Sequence, residues 1–169
     1  MHTLLSRLLL LAALLSGAVT SALAADTGDR APDFRIQGPN FHGSAMLSEL
    51  RGHVVYVDFW ASWCGPCRQS FPWMNELHDR YSDDGLVIAA VNLDESTADA
   101  KRFLREVPVD FPVVFNPGGD LAEKYGVSAM PSSYLVGPDG RIVHRELGFR
   151  LGERERLERM IARQVRAAQ

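Results

Sequence analysis

One α/β domain, a mixed central sheet with helices on its faces, is what this sequence predicts. Three observations carry the prediction. Apolar runs of the buried-strand kind, such as Val54-Val-Tyr-Val-Asp-Phe-Trp60, alternate with stretches of helical period. The last two strand-like runs flank a turn signal, which makes them antiparallel neighbours, whereas the earlier ones are joined through helices. No internal repeat, low-complexity stretch or linker divides the 169 residues, a length that suits one domain with an ordinary core.

The elements follow in order. Asp26 to Gly43 is rich in Gly, Pro and polar residues, with a short apolar alternation at Phe34-Arg-Ile36, and reads as an irregular lead-in with a small hairpin. Ser48 to Gly52 is a short helical turn ending at glycine. Val54 to Trp60, β-branched and aromatic, is a central strand buried on both faces. From Pro66 to about Tyr81 the period becomes helical, with Phe71, Met74, Leu77, His78 and Tyr81 on one stripe and Pro72 expected to kink it. Leu86 to Leu93 is a second buried strand, and Thr97 to Glu106 a helix capped by Ser96 or Thr97. A short strand at Phe111 to Phe115 leads to a helix around Asp120 to Tyr125. Ser132–Val136 and Ile142–Leu147 are strands joined through Gly137-Pro-Asp-Gly140. Leu157, Met160, Ile161 and Val165 close the domain with an amphipathic helix.

The amino terminus differs from the rest. A weakly basic start through Arg7, an unbroken apolar run from Leu8 to Leu15, and a small-residue stretch ending in Ala22-Leu-Ala24 read as a secretory signal peptide over residues 1–24. The alternative is an uncleaved membrane anchor through residues 4–25, a stretch close to the length of a membrane span. The domain proper is 25–169. Its composition, 46% hydrophobic and 23% charged, excludes disorder and a multi-span membrane protein. Loss of Arg7 with the leader would move the net charge of −3 to −4. That mild acidity, with no basic run interleaved with aromatics, argues against nucleic acid as a partner.

Only two cysteines exist, Cys64 and Cys67, in Trp63-Cys-Gly-Pro-Cys67. A structural staple across two intervening residues would close almost no loop and remove little unfolded-state entropy. A zinc site would need two further ligands, and His2, His42, His53, His78 and His144 show no paired ligand spacing. Redox chemistry is the better reading of two thiols three positions apart, and it requires no cofactor or metal. Cys64 follows a buried strand and sits at or just before the first turn of a helix, where free N–H groups and the helix dipole favour a thiolate. Cys67, one turn on, faces Cys64 and is expected to lie deeper. Cys64 would then attack a substrate disulfide and Cys67 resolve the mixed disulfide. Pro66 suits the early helical position because it lacks an N–H that would go unpaired there.

Val57-Asp-Phe-Trp-Ala-Ser-Trp-Cys-Gly-Pro-Cys67, with Pro72 five residues on, resembles the thioredoxin active site. The leader, the lead-in Gly28-Asp-Arg-Ala-Pro-Asp-Phe34 and the added segment Asn92 to Phe115 resemble the TlpA/ResA/DsbE group of bacterial extracytoplasmic thiol–disulfide oxidoreductases. The resemblance covers roughly residues 28–165. It implies a thioredoxin fold with an N-terminal extension and an inserted strand–helix segment. It also implies a cis-proline at Pro131 in Ala129-Met-Pro-Ser132, with the Met130 backbone facing Cys64 and open to an extended substrate segment. Gly65 and Pro66, the spacer of thioredoxin, point to a reductant, and Trp63 to an apolar platform for substrate, while Trp60 belongs to the core. Asp58 takes the place of thioredoxin's buried acid, with a raised pKa and a part in moving the Cys67 proton. Glu95 resembles an acid that ResA-like proteins hold near the site. Relatives of that kind usually lack an acid at the Asp58 position, so two proton routes stand open here.

The implied partners are a disulfide-bearing extracytoplasmic protein and a membrane thiol electron donor, with apocytochrome c the substrate typical of the group and the periplasm the implied location. Two other readings compete. The start Gly28 to Phe34 also resembles peroxiredoxin-like peroxidases, but the two positions their peroxide site needs are occupied by Val57 and Ala61. A non-catalytic binding module on the same fold is the other, and the intact cysteine pair counts against it.

Overall fold

The computed structural model describes residues 24–37, 41 and 43–169, so the leader or anchor read at the amino terminus lies outside the described residues apart from its last positions. Strand β1 (Arg35–Gln37) pairs antiparallel with β2 (Ser44–Met46), which is the small hairpin expected in the lead-in. A one-turn 3-10 helix at Leu47–Glu49 follows. Then come β3 (Val54–Trp60), α1 (Gly65–Tyr81), β4 (Leu86–Asn92), α2 (Thr97–Glu106), β5 (Val113–Phe115), α3 (Asp120–Tyr125), β6 (Ser132–Val136), β7 (Ile142–Leu147) and α4 (Arg154–Ala168). The main sheet has the order β5-β4-β3-β6-β7. Its β3–β4 and β4–β5 pairs are parallel, and its β3–β6 and β6–β7 pairs antiparallel. This is the mixed sheet of the thioredoxin fold that the resemblance implies.

Alternation along β3 sorts the two cores. Val54, Tyr56 and Trp60 face a layer made by α1, α2 and α4, where they pack with Phe71, Phe103, Phe111, Leu157 and Ile161. Val55, Val57 and Phe59 face the hairpin and α3, against Ile36, Leu47, Leu121 and Tyr125. Both cysteines belong to the first layer. In the same cluster Trp60, Phe71 and Phe103 pack edge-to-face or tilted against one another, with ring centroids 4.8 to 5.2 Å apart.

Boundaries differ from the sequence reading where backbone donors decide. The strand expected from Phe111 begins at Val113, because Pro112 has no N–H to give a ladder and only its carbonyl serves, accepting from Ala90 N at 3.0 Å. Phe111 is nonetheless fully buried. Helix α1 runs through Pro72 without interruption, the ring on the solvent side. Its buried stripe is Cys67, Ser70, Phe71, Trp73, Met74 and Leu77, while His78 and Tyr81 are half-buried. Ser96 is the N-cap residue of α2 but makes no side-chain cap bond, and its carbonyl accepts from Asp99 N instead. The turn between β6 and β7 closes through Gly140 N to Gly137 O at 2.8 Å, and Gly140 adopts φ 74°, a conformation that favours glycine. Residues 28–31 lie along the start of β7, through Gly28 N to Ile142 O, Ile142 N to Asp29 O and Ala31 N to Gly140 O. No helix among the described residues is long and apolar enough to cross a membrane.

Candidate active site

The exits of β3 and β4 bring the site together. Leu93 N donates to Trp60 O at 2.9 Å, which ties the two strand ends side by side. From Trp60 the chain makes a turn, Ala61-Ser-Trp-Cys64, closed by Cys64 N to Ala61 O at 3.0 Å. Cys64 is then the N-cap residue of α1, with Gly65 and Pro66 opening the helix. Its Sγ accepts from Cys67 N at 3.2 Å. This is the use of a helix N-terminus that the spacing predicts: an unpaired amide satisfied by sulfur, in a field that favours negative charge.

Cys64 and Cys67 are joined as a disulfide, with Cα atoms 5.3 Å apart. They are unequal. Cys67 is 0% exposed and Cys64 5%, next to Trp63 at 72%. Gly65 and Pro66 are also exposed, so the outer rim of the pair is Trp63, Gly65 and Pro66, and the inner thiol faces the aromatic cluster. Trp60 is wholly buried, as its place at the strand end requires.

The Met130–Pro131 peptide bond is cis. Pro131 is buried and its carbonyl accepts from Gly148 N at 2.8 Å, while Met130 is half-buried against the cluster that contains both cysteines. Ser132 Oγ donates to Ala129 O at 2.7 Å and holds the loop from beneath. Among the described residues no backbone hydrogen bond engages Met130.

Asp58 shares the face of β3 that Tyr56 and Trp60 give to the α1 layer, and it is 2% exposed. Its cross-strand neighbours are Ala90 on β4 and Ser133 on β6. Ser133 Oγ is already engaged by Tyr56 OH at 2.8 Å, and Asp58 Oδ2 has no hydrogen-bond partner among the described residues. Burial pushes the Asp58 carboxyl well above the usual carboxylate range. Burial, with Asp58 second, also raises the Tyr56 hydroxyl.

Glu95 stands exposed just ahead of α2, with no hydrogen bond or ion pair to the cysteine turn. Its neighbour Asp94 makes the contact instead. Asp94 accepts from Ser62 N at 2.9 Å, Ser62 Oγ at 2.9 Å and Asn92 Nδ2 at 2.7 Å, and is 5% exposed. The sequence reading missed Asp94. The available signal was Asn92 and Asp94, two polar residues with one residue between them, directly after an apolar strand.

Among the described residues no cluster of three or more potential ligands could hold a metal ion. The arrangement is one for thiol–disulfide exchange: a capped outer sulfur, a buried inner sulfur, and a buried carboxyl on the strand beneath.

Comparison with known proteins points the same way. The family model for Redoxin matches residues 26–161. Thiol-disulfide oxidoreductase ResA of Bacillus thuringiensis subsp. konkukian is 32% identical over 136 residues, which is 80% of this chain and 78% of that one. ResA of Oceanobacillus iheyensis is 34% identical over 145 residues, covering 81% and 76%. Among solved structures, a Chlorobium tepidum protein assigned as a thiol:disulfide interchange protein DsbE superposes with a TM-score of 0.77. It is 47% identical, and the match covers 84% of this chain and 99% of that one.

Proposed function

The chain belongs to the redoxin family, among the ResA/DsbE-type thiol–disulfide oxidoreductases of thioredoxin fold, and on that premise we propose that it is an extracytoplasmic reductant of protein disulfides. The observation that carries the proposal is the inequality of the two sulfurs: Cys64 at the capped, outer position beside Trp63, Cys67 sealed beneath it. In the dithiol form the Cys64 thiolate attacks one sulfur of a substrate disulfide. A Cys64–substrate bond forms, and the first substrate thiolate leaves. Cys67 then gives up its proton, with Asp58 as acceptor and Glu95 as the competing route, and attacks Cys64 Sγ. The second substrate thiol departs, and the enzyme is left with the Cys64–Cys67 disulfide, two electrons poorer.

Met130, with its free backbone beside the pair, is the place for an extended substrate segment, and Trp63, Gly65 and Pro66 form the opposite rim. Return to the dithiol form requires a thiol donor, which in the periplasm is a membrane electron carrier. The haem-attachment cysteines of an apocytochrome c fit the substrate class, on the strength of the ResA and DsbE resemblance. Trp63→Ala is expected to raise KM for a protein disulfide about tenfold, as loss of one large apolar contact does, and to leave the rate with a small disulfide unchanged. Equal loss with both substrates would remove Trp63 from the binding rim.

The test of the proposal is the equilibrium reduction potential of the pair, by titration against a glutathione or dithiothreitol buffer. A value at or below about −220 mV places it with thioredoxin and the glutaredoxins and supports a reductant. A value near −120 mV, where DsbA lies, makes it an oxidant and discards the reductant reading.

A further inference from the structure

The turn Ala61-Ser-Trp-Cys64 presents the nucleophile, and its second residue is held at two points by one carboxylate. Ser62 N–H reaches Asp94 Oδ2 and Ser62 O–H reaches Asp94 Oδ1, each at 2.9 Å. Asn92 Nδ2 adds a third donor at 2.7 Å, and Asn92 Oδ1 accepts from Asp94 N at 3.2 Å, which fixes the acid from behind. Three donors on two oxygens suit a carboxylate that only accepts. Other charges border the same turn, yet they cancel in pairs. Arg68 and Glu106 form a salt bridge at 3.0 Å, Arg102 pairs with Asp99, and all four line the shallow pocket beside Ser62. Among the described residues no cation pairs with Asp94, which leaves a buried carboxylate without a cationic partner against Ser62, two residues before Cys64.

We propose that the charge of Asp94 sets the redox balance of the Cys64–Cys67 pair, acting on Cys64 from the fixed place that its bonds to Ser62 give it. Two influences oppose each other at Cys64. The amide of Cys67 and the start of α1 stabilise a thiolate at Cys64, and by themselves would make the dithiol form easy to reach and the disulfide easy to reduce. A fixed anion on the turn that carries that sulfur acts in the other direction: it disfavours the thiolate, and so favours the disulfide and makes the dithiol the stronger electron donor. At 5% exposure water screens little of this. Asp58 lies under the pair on β3 and Glu95 points to solvent, so neither duplicates the contact. Because the quantity is a shift relative to the wild type, it stands or falls separately from the direction of electron flow proposed above.

The experiment is the equilibrium constant of the full domain with glutathione, read together with the Cys64 thiol pKa from the pH dependence of alkylation. Asp94→Asn keeps the shape and one acceptor oxygen but removes the charge. It is expected to move the constant about tenfold toward the dithiol, which is about 30 mV for a two-electron couple, and to lower the Cys64 pKa. Ser62→Ala keeps the carboxylate and its bond to the backbone, and should stay within threefold of wild type. Asp94→Ser, smaller and also uncharged, reads the same constant if the Asn variant does not fold. A shift below threefold in the uncharged variant overturns the proposal. So does a Ser62→Ala shift as large as that of Asp94→Asn, since the geometry of the turn would then be what matters.

Discussion

Cys64→Ser is expected to lose disulfide reductase activity by on the order of 10³-fold or more, down to the rate of the thiols in the buffer. A hydroxyl at the N-cap would accept the Cys67 amide as the sulfur does, so fold and capping survive while the nucleophile does not. Cys67→Ser should behave differently. The outer sulfur can still attack, but no inner thiol remains to resolve the product, and the chain has no third cysteine to take over. The enzyme would stop after one event as a Cys64–substrate mixed disulfide, visible as a mass increase that dithiothreitol removes. If Cys64→Ser traps substrate and Cys67→Ser fails to react, the assigned roles are reversed. If Cys64→Ser keeps the full biological effect, the chain works as a binding module and exchange is incidental.

Asp58→Asn should slow the resolving step about 10²-fold near neutral pH while making the protein more stable. Both effects follow from one fact, a carboxyl buried without a hydrogen-bond partner for Oδ2. In the proposed role of acceptor it would suit the buried thiol of Cys67, because its raised pKa lets it hold a proton at a pH where an ordinary aspartate would not. For stability the sign runs against the usual aspartate case. Between the ordinary value of 3.8 and the raised native value, the unfolded chain releases a proton that the folded chain keeps. The folded state therefore binds more protons, and stability declines as pH rises through that window, levelling off above the native pKa. Removal of the ionisable group abolishes the decline. Asp58→Asn should unfold at higher denaturant than wild type by on the order of 1–3 kcal/mol at pH 8, with the difference vanishing near pH 4. The measurements are rapid-quench kinetics of mixed-disulfide decay and urea unfolding, each across pH. Should Glu95→Gln move the kinetic profile and Asp58→Asn leave it in place, the proton leaves by the exposed acid instead.

Local chemistry was legible in the sequence, and distant juxtaposition was not. The cysteine pair, its strand–helix setting and the buried ends of β3 and β4 follow from periodicity and capping, and the structure has them where they were expected. Strand order did not follow: nothing in the runs themselves says that β6 lies beside β3 and that β5 takes the far edge. The isomer at Pro131 rested on resemblance alone, since only about 5–6% of such bonds are cis. Asp94 and Glu95 show why side chains at strand ends are hard to assign. Beyond Asn92 the chain leaves the pleat, alternation no longer says which of two adjacent acids turns inward, and the answer depends on a turn 32 positions earlier in the sequence. Resemblance pointed to Glu95 as an acid near the site, and the acid hydrogen-bonded to the turn at Ser62 is Asp94.

The rims of the main sheet have a consequence for life among unfolded chains. β5 is three residues long, too short to template a visiting strand, and β7 carries His144, Arg145 and Glu146 along its length with its first residues covered by the segment at 28–31. Such edges resist the rim-to-rim association by which β-proteins aggregate. An extended polypeptide that samples this molecule therefore finds little sheet edge to dock its backbone on, whereas the loop at Met130 has a backbone free of hydrogen bonds among the described residues. For a thiol–disulfide oxidoreductase, edges of this kind permit repeated encounters with extended chains without joining them.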